Sequence, residues 1–224
     1  MAKIVPLDIS NEEHLDTTIE RCVNSLRSGK VIAIPTDTIY GIAALSQNTE
    51  AVNKLYEIKK RDYAKAIAIC VGSITEVKKW GKVTISDKAL SELLPGPVTL
   101  VFERSPDLNP ELNPDKTSIG IRIPEHSFVK RLAERCGEPF ALTSANISAG
   151  MSPLRVDEFT ELWDDLDVVV DGGVLGDTEQ SRAGSTVVDL SVHGMFSVIR
   201  HGCAYQRVVD LLQNTYGLKC RPDL

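Results

Sequence analysis

No stretch of the 224-residue chain approaches the ~20 consecutive apolar residues that a membrane-spanning helix requires, so a helical membrane protein is not expected. The opening "MAKIVPLDISNEEH" has neither the apolar core of a secretion leader nor an Arg/Ser-rich amphipathic presequence. The expected location is cytoplasmic, with a mitochondrial location left open for a longer form. Cysteine is sparse: Cys22, Cys70, Cys136, Cys203 and Cys220 are odd in number, far apart and never in a CxxC pair. That excludes a disulfide framework or zinc site as the reading of choice and predicts reduced, mostly buried thiols. The four histidines, His14, His126, His193 and His201, show no metal-ligand spacing and none neighbours a plausible nucleophile. The motifs GxxxxGKS/T, GxGxxG after the first strand, HExxH and GxSxG are all missing. Phosphate chemistry, if any, must use another design.

What is present is a core. Hydrophobic residues make up 42% of the chain, enough for one large α/β domain, and no repeat, low-complexity tract or linker divides it. With 31 acidic against 25 basic residues the net charge is -6, which disfavours a surface that grips nucleic acid throughout. The basic residues cluster locally, at Lys54, Lys59, Lys60, Arg61 and Lys65, followed by Lys78, Lys79 and Lys82.

Ser10 and Glu13 have capping-box spacing ahead of a stripe of Leu15, Ile19, Cys22, Val23 and Leu26, which predicts a helix ended by Gly29. "KVIAIPT" is an apolar, β-branched run typical of a strand covered on both faces. "NTEAVNKLYEIKKR" predicts a helix capped by Asn48 or Thr49 that carries the basic cluster at its C-terminal end. The alternation continues: strands at "KAIAICV", "VTLVFER", "TSIGIRIP", "PFALTSAN" and "DVVVDGG", paired strands at "STVVDLS" and "FSVIR", and helices at "SDKALSELLPGP", "SFVKRLAERCG", "VDEFTELWDDL" and "AYQRVVDLLQNTYG". The fold class is α/β: a single domain with a large twisted mixed sheet flanked by helices.

Several predicted strands end in hydroxyl, amide or guanidinium groups: "PTDT", "SIGIR", "LTSAN", "GST" and "VIR". Taken singly, Thr36 to Thr38, Ser144 with Asn146, or Gly184 with Ser185 are each as readily turn formers as ligands. Taken together with Arg61, Arg122 and Arg200 they describe a polar pocket beside strand ends, positively charged and suited to an anionic ligand. Such a site works by positioning and charge neutralisation, the way phosphoryl and nucleotidyl transfer proceeds.

In order along the chain, "PTDTIYGIAA", "KKRDYAKAIAICVG", "LLPGPVTLV", "GIRIPEH", "ALTSANISAG", "DGG", "GSTVVDL" and "VIRHG" resemble the YrdC family of threonylcarbamoyl-adenylate synthases, from about residue 12 to 213. The forms "AICVG" and "LTSANISA" are most similar to animal members. The resemblance implies a YrdC-like domain over residues 10–214 with terminal extensions 1–9 and 215–224, in the minimal single-domain form, with a deep basic cavity on one face of the sheet. It implies a reaction in which L-threonine, bicarbonate or carbon dioxide, and ATP give threonylcarbamoyl-adenylate and pyrophosphate, the first step of threonylcarbamoyladenosine formation in tRNA. Magnesium is expected with ATP, no protein-bound metal is expected, and contact with tRNA or with the downstream transferase complex is a further implication.

Residue by residue, the resemblance places Thr38, Cys70, Arg122, Thr143 and Ser185 on the threonine, and Arg61, Lys65, Ser118, Ala145, Ser152 and Arg200 on ATP. Arg61, Lys65 and the nearby Lys59 are the expected catalytic cations. Two positions depart from the common pattern: Ala66 stands where many members carry proline, and Cys70 where many carry histidine. A thiol cannot supply the cationic ligand a histidine supplies. Two other readings stay open: a non-catalytic RNA-binding module using the same concavity, and a carbamoyltransferase or maturation factor, whose YrdC-like domain is ordinarily joined to zinc-finger and other modules.

Overall fold

The computed structural model describes residues 2–60, 66–147 and 150–221. Its strands are β1 (Lys3–Pro6), β2 (Ile32–Ile34), β3 (Gly41–Leu45), β4 (Ala68–Cys70), β5 (Gly81–Lys82), β6 (Val98–Arg104), β7 (Ser118–Arg122), β8 (Phe140–Ser144), β9 (Val168–Asp171), β10 (Thr186–Asp189), β11 (Met195–Arg200) and β12 (Lys219–Cys220). The α-helices are α1 (Glu12–Arg27), α2 (Thr49–Ile58), α3 (Ile74–Trp80), α4 (Asp87–Leu93), α5 (Ser127–Cys136) and α6 (Tyr205–Asp210).

The strands form one mixed sheet in the order β1-β9-β2-β3-β8-β4-β7-β6-β10-β11-β12, with β5 added beside β6. Parallel pairs such as β4/β7 and β6/β10 are mixed with antiparallel pairs such as β3/β8 and β6/β7. The expected domain limits of 10–214 are too narrow. Residues 3–6 form the edge strand β1, paired along β9, and residues 219–220 form β12, paired with β11. Both expected extensions therefore contribute backbone hydrogen bonds to the sheet.

Four of the six α-helices, α1 to α4, start on a side-chain cap, though not always the expected one. Asn11, not Ser10, caps α1: its amide oxygen accepts from the His14 N–H at 3.1 Å. Ser10 is committed elsewhere, donating both its N–H and its hydroxyl to the Asp8 carboxylate at 2.9 and 2.6 Å. Asn48 settles the alternative at α2, accepting from Ala51 N–H at 3.0 Å. Residues 156–165, within the stretch expected as a helix, are helical of the 3₁₀ type, broken by non-helical backbone at Phe159, whose ring sits 5.6 Å from that of Tyr40. The closing helix is α6 followed by one π turn at Leu211–Thr215.

Because successive strand residues point to opposite faces, each strand divides its side chains between two cores. Ile42 and Ala44 of β3 join a large core with Leu100, Phe102, Ile119 and Ile121. Ala43 and Leu45 face the other way, into a core that α1 and α5 complete with Leu15, Ile19, Phe128 and Leu132. These two helices cover that second face over β2, β3, β8 and β9 and reach only as far as Cys70 on β4. Beyond it, over β7, β6 and β10, the same face carries Gly120, Arg122, Thr99, Val101 and Val187, and there a cavity opens.

Candidate active site

The cavity holds about 620 Å³ and is lined by strand residues and the ends of the loops that follow them. Its floor is low because β7 contributes Gly120 and β4 contributes Ala68. A β-carbon on Gly120 would stand 3.0 Å from the Thr99 methyl and 3.3 Å from the Ala68 methyl. Among the described residues its lining contains two guanidiniums, Arg122 and Arg200, and no carboxylate.

The first wall is the turn after β2. The Thr36 hydroxyl accepts from the N–H groups of Thr38 and Ile39 at 3.1 and 3.2 Å and donates to the Ile39 carbonyl at 2.8 Å, so Thr36 builds the turn. The turn delivers two groups to Arg122, which is 7% exposed. One Nη donates to the Thr38 hydroxyl at 2.9 Å and to the Asp37 carboxylate. The second Asp37 oxygen accepts from Glu125 N–H at 3.0 Å, which anchors the pair to the loop after β7. Arg122 Nε is buried and has no partner among the described residues. A guanidinium has five N–H donors, and an unused Nε on a cavity-lining arginine fits an incoming carboxylate.

The opposite wall is the segment entering β10. Gly184 has φ +66° and ψ -162°, backbone accessible essentially only to glycine. That bend turns Ser185 so that its carbonyl accepts from Arg200 Nε and Nη at 3.0 and 2.8 Å, and its hydroxyl from Arg200 Nη at 2.9 Å. Gly202 lets the next loop lie directly on this segment: a β-carbon there would be 2.2 Å from backbone atoms of Ser185 and Thr186. The Ser185 hydroxyl also lies 2.8 Å from that of Thr99, on β6.

The third wall is the end of β8, with Thr143 and Ser144. Gly41 on β3 permits its close approach, since a β-carbon would meet Leu142 at 2.8 Å and the Thr143 carbonyl at 3.0 Å. Behind this wall Lys59 is only 1% exposed, its ammonium donating to the carbonyls of Ser144, at 2.6 Å, and Asn146. Tyr40 closes the base: its hydroxyl donates to the Gly173 carbonyl at 2.7 Å and accepts from Gly172 N–H at 2.9 Å, and burial pushes its ionisation well above the usual range.

Of the residues expected at the site, Arg122, Ser118, Thr143, Ser185 and Arg200 line one cavity, and Thr38 touches it through Arg122. Ala145 lies just behind, its N–H donating to the Tyr40 carbonyl at 2.9 Å. Ser152 stands aside from the lining, its carbonyl accepting from Arg182 at 2.8 Å. Lys59 sits beneath the β8 wall as a tether rather than in the cavity. Cys70 is not in the lining either: it is fully buried in the α1/α5 core, where burial drives its thiol ionisation far upward. The threonine contact expected of it is corrected to a place in the supporting core. Arg61 and Lys65 lie outside the described residues. Sequence reading passed over Asp37 as a direct partner of Arg122 and Thr99 as a lining residue. The one available signal was a threonine interrupting the apolar strand "VTLVF".

The Sua5–YciO–YrdC family model, described as telomere recombination, matches residues 24–202. Threonylcarbamoyl-AMP synthase of Mus musculus is 45% identical over 95% of this chain and 78% of its own length, and that of Homo sapiens 47% identical over 89% and 72%. Among solved structures, P. abyssi Sua5 complexed with L-threonine superposes with a TM-score of 0.82 at 26% identity, covering 99% of this chain and 63% of its own length. E. coli YciO shares the fold, with a TM-score of 0.80 at 21% identity over 90% of this chain and 96% of its own. A family match spanning most of the sheet, joined to relatives near half identity over almost the whole chain, places the protein: it belongs to the Sua5–YciO–YrdC family.

Proposed function

We propose that the chain is a threonylcarbamoyl-AMP synthase, joining L-threonine, bicarbonate or carbon dioxide, and ATP into threonylcarbamoyl-adenylate with release of pyrophosphate. Relatives at 45 and 47% identity carry that name, and a structural neighbour was solved with L-threonine. The observation that carries the reading is Arg122: a buried guanidinium, braced by Asp37 and Thr38, whose Nε has no partner among the described residues and which lines a cavity with no carboxylate among its described lining residues.

In this reading the threonine carboxylate binds Arg122 in bidentate fashion, with Thr143 and Ser185 on the same ligand. The threonine amine takes up carbon dioxide and loses a proton to become a carbamate. A carbamate oxygen attacks the α-phosphorus of ATP, a new P–O bond forms, and the bond to pyrophosphate breaks in line. Ser118, Ala145, Ser152 and Arg200 serve the nucleotide, and Arg61 and Lys65 neutralise its polyphosphate. ATP arrives as its magnesium complex, the metal held by the phosphates as part of the substrate. The chain's contribution is to hold carbamate and phosphate together in a site that excludes bulk water.

The product is a mixed carbamic–phosphoric anhydride, so a transferase that acts on the adenosine of tRNA must consume it; contact with that transferase or its tRNA, and a cytoplasmic location, complete the proposal. The test is to incubate the protein with ATP, magnesium, bicarbonate and each amino acid in turn and follow pyrophosphate. Release with threonine alone is expected. No release with any amino acid, alongside tight salt-dependent RNA binding, would favour the RNA-binding reading instead.

A further inference from the structure

We infer that Thr99 is a specificity-determining residue for this reaction, acting with Ser185 as a hydroxyl pair that reads the β-hydroxyl oxygen of the amino acid; the inference rests on the synthase reading above. Thr99 and Ser185 are 4% and 2% exposed, both line the cavity, and their hydroxyl oxygens are 2.8 Å apart. The Ser185 oxygen additionally accepts from Arg200 Nη at 2.9 Å.

Counting protons defines what the pair offers. Two hydroxyls carry two protons, and the mutual hydrogen bond uses one. Arg200 is a donor, so it consumes a lone pair on Ser185 and no proton. Whichever hydroxyl donates within the pair, one O–H remains without an acceptor among the described residues, at the wall of the cavity. If Thr99 donates, both Ser185 lone pairs are filled and Ser185 becomes a pure donor toward the ligand. If Ser185 donates, the Thr99 proton is the one left over.

Register decides which ligand atom this donor meets. Leu100 of β6 pairs with Ile121 of β7, so Thr99 lies opposite Arg122, one strand spacing away, about 4.8 Å. An amino acid whose carboxylate is held by Arg122 carries two further polar atoms, the α-nitrogen, which becomes the carbamate and has to face the nucleotide, and the β-oxygen, which is left for a partner on the cavity wall. A neutral donor suits that neutral oxygen, while the charged carboxylate takes the guanidinium. The Thr99 methyl lies over Gly120 on the cavity floor, which leaves its hydroxyl directed along the wall toward Ser185.

The test compares L-threonine with L-2-aminobutyrate, which lacks only the β-hydroxyl. In wild type, Thr99→Val and Thr99→Ser, one measures KM for threonine in pyrophosphate release and Ki for 2-aminobutyrate as a competitor. The ratio Ki/KM is internal to each preparation, so a partly unfolded sample does not move it. Thr99→Val is expected to lower that ratio about tenfold, the equivalent of one well-placed buried hydrogen bond, and Thr99→Ser to restore it. A fall smaller than about threefold in Thr99→Val would overturn the role of Thr99. Absence of threonine-dependent pyrophosphate release in wild type would instead overturn the synthase reading, so the two failures are distinguishable.

Discussion

Asp37 and Arg122 form an ion pair in which each side chain is 9% exposed, joining the turn after β2 to the end of β7 at one wall of the cavity. The aspartate makes the arginine tolerable in a nearly dry site and at the same time aims it. Removing one partner strands the other: Asp37→Ala is expected to cost about 3–5 kcal/mol in urea unfolding. Replacing both, as Asp37→Leu with Arg122→Leu, should recover most of that stability because two buried charges vanish together, yet bind no threonine by calorimetry. Threonine binding by the double variant would remove Arg122 from the amino-acid site.

Lys59 offers a second separation of structure from chemistry. Its ammonium holds the carbonyls of Ser144 and Asn146, so Lys59→Met should lower unfolding stability by about 1–3 kcal/mol and lose activity with it. If Lys59 acted as a catalytic cation alone, activity would fall while the urea midpoint stayed in place.

Gly202 is a steric hinge of the arginine wall. The β-carbon of Gly202→Ala has no space against the backbone of Ser185 and Thr186, so the loop after β11 must move away. Expected is a loss of about 1–3 kcal/mol together with a raised KM for threonine, since Ser185 shifts. A variant with wild-type melting and kinetics would contradict the close approach.

Acid sensitivity should show at Glu158. Its carboxylate receives two hydrogen bonds from Arg182 and one from Leu154 N–H, and the Arg182 hydrogen bonds are the main cause that its pKa falls to about 2 from 4.5. A carboxylate depressed in the folded state stabilises fully above its unfolded pKa and loses that contribution as pH falls toward the folded value. The stability difference between wild type and Glu158→Gln should therefore be constant above about pH 5 and shrink between 4.5 and about 2. Denaturant titrations of both proteins across that range measure it.

Thiol chemistry checks the cores. Cys22, Cys70 and Cys136 are buried and Cys203 and Cys220 exposed. Native labelling with a chromogenic disulfide should therefore count two thiols, and five after unfolding. Rapid native labelling of Cys70 would return it to the cavity wall.

Eight of the strands and six of the helical segments were legible in the chain because each rests on local terms, apolar periodicity, β-branched runs, and glycine or proline at the ends; β3, α3 and β5 were not among them. The polar character of the strand ends was legible too, since "PTDT", "LTSAN" and "VIR" interrupt apolar runs in ways a core does not require. The errors were local competitions decided by neighbours, as when Asp8 engaged Ser10 and left the α1 cap to Asn11. The limits of the sheet were also undetermined, because β1 and β12 are strands only through pairing with distant partners.

Which strand residues face a ligand was decided by tertiary structure alone. Cys70 and Arg122 are register partners on adjacent strands, pointing to the same face of the sheet. The helices α1 and α5 end their cover between them, so one is core and the other is cavity wall. Periodicity along a strand states that a residue faces up or down; it carries no information about where the covering helices stop on that face.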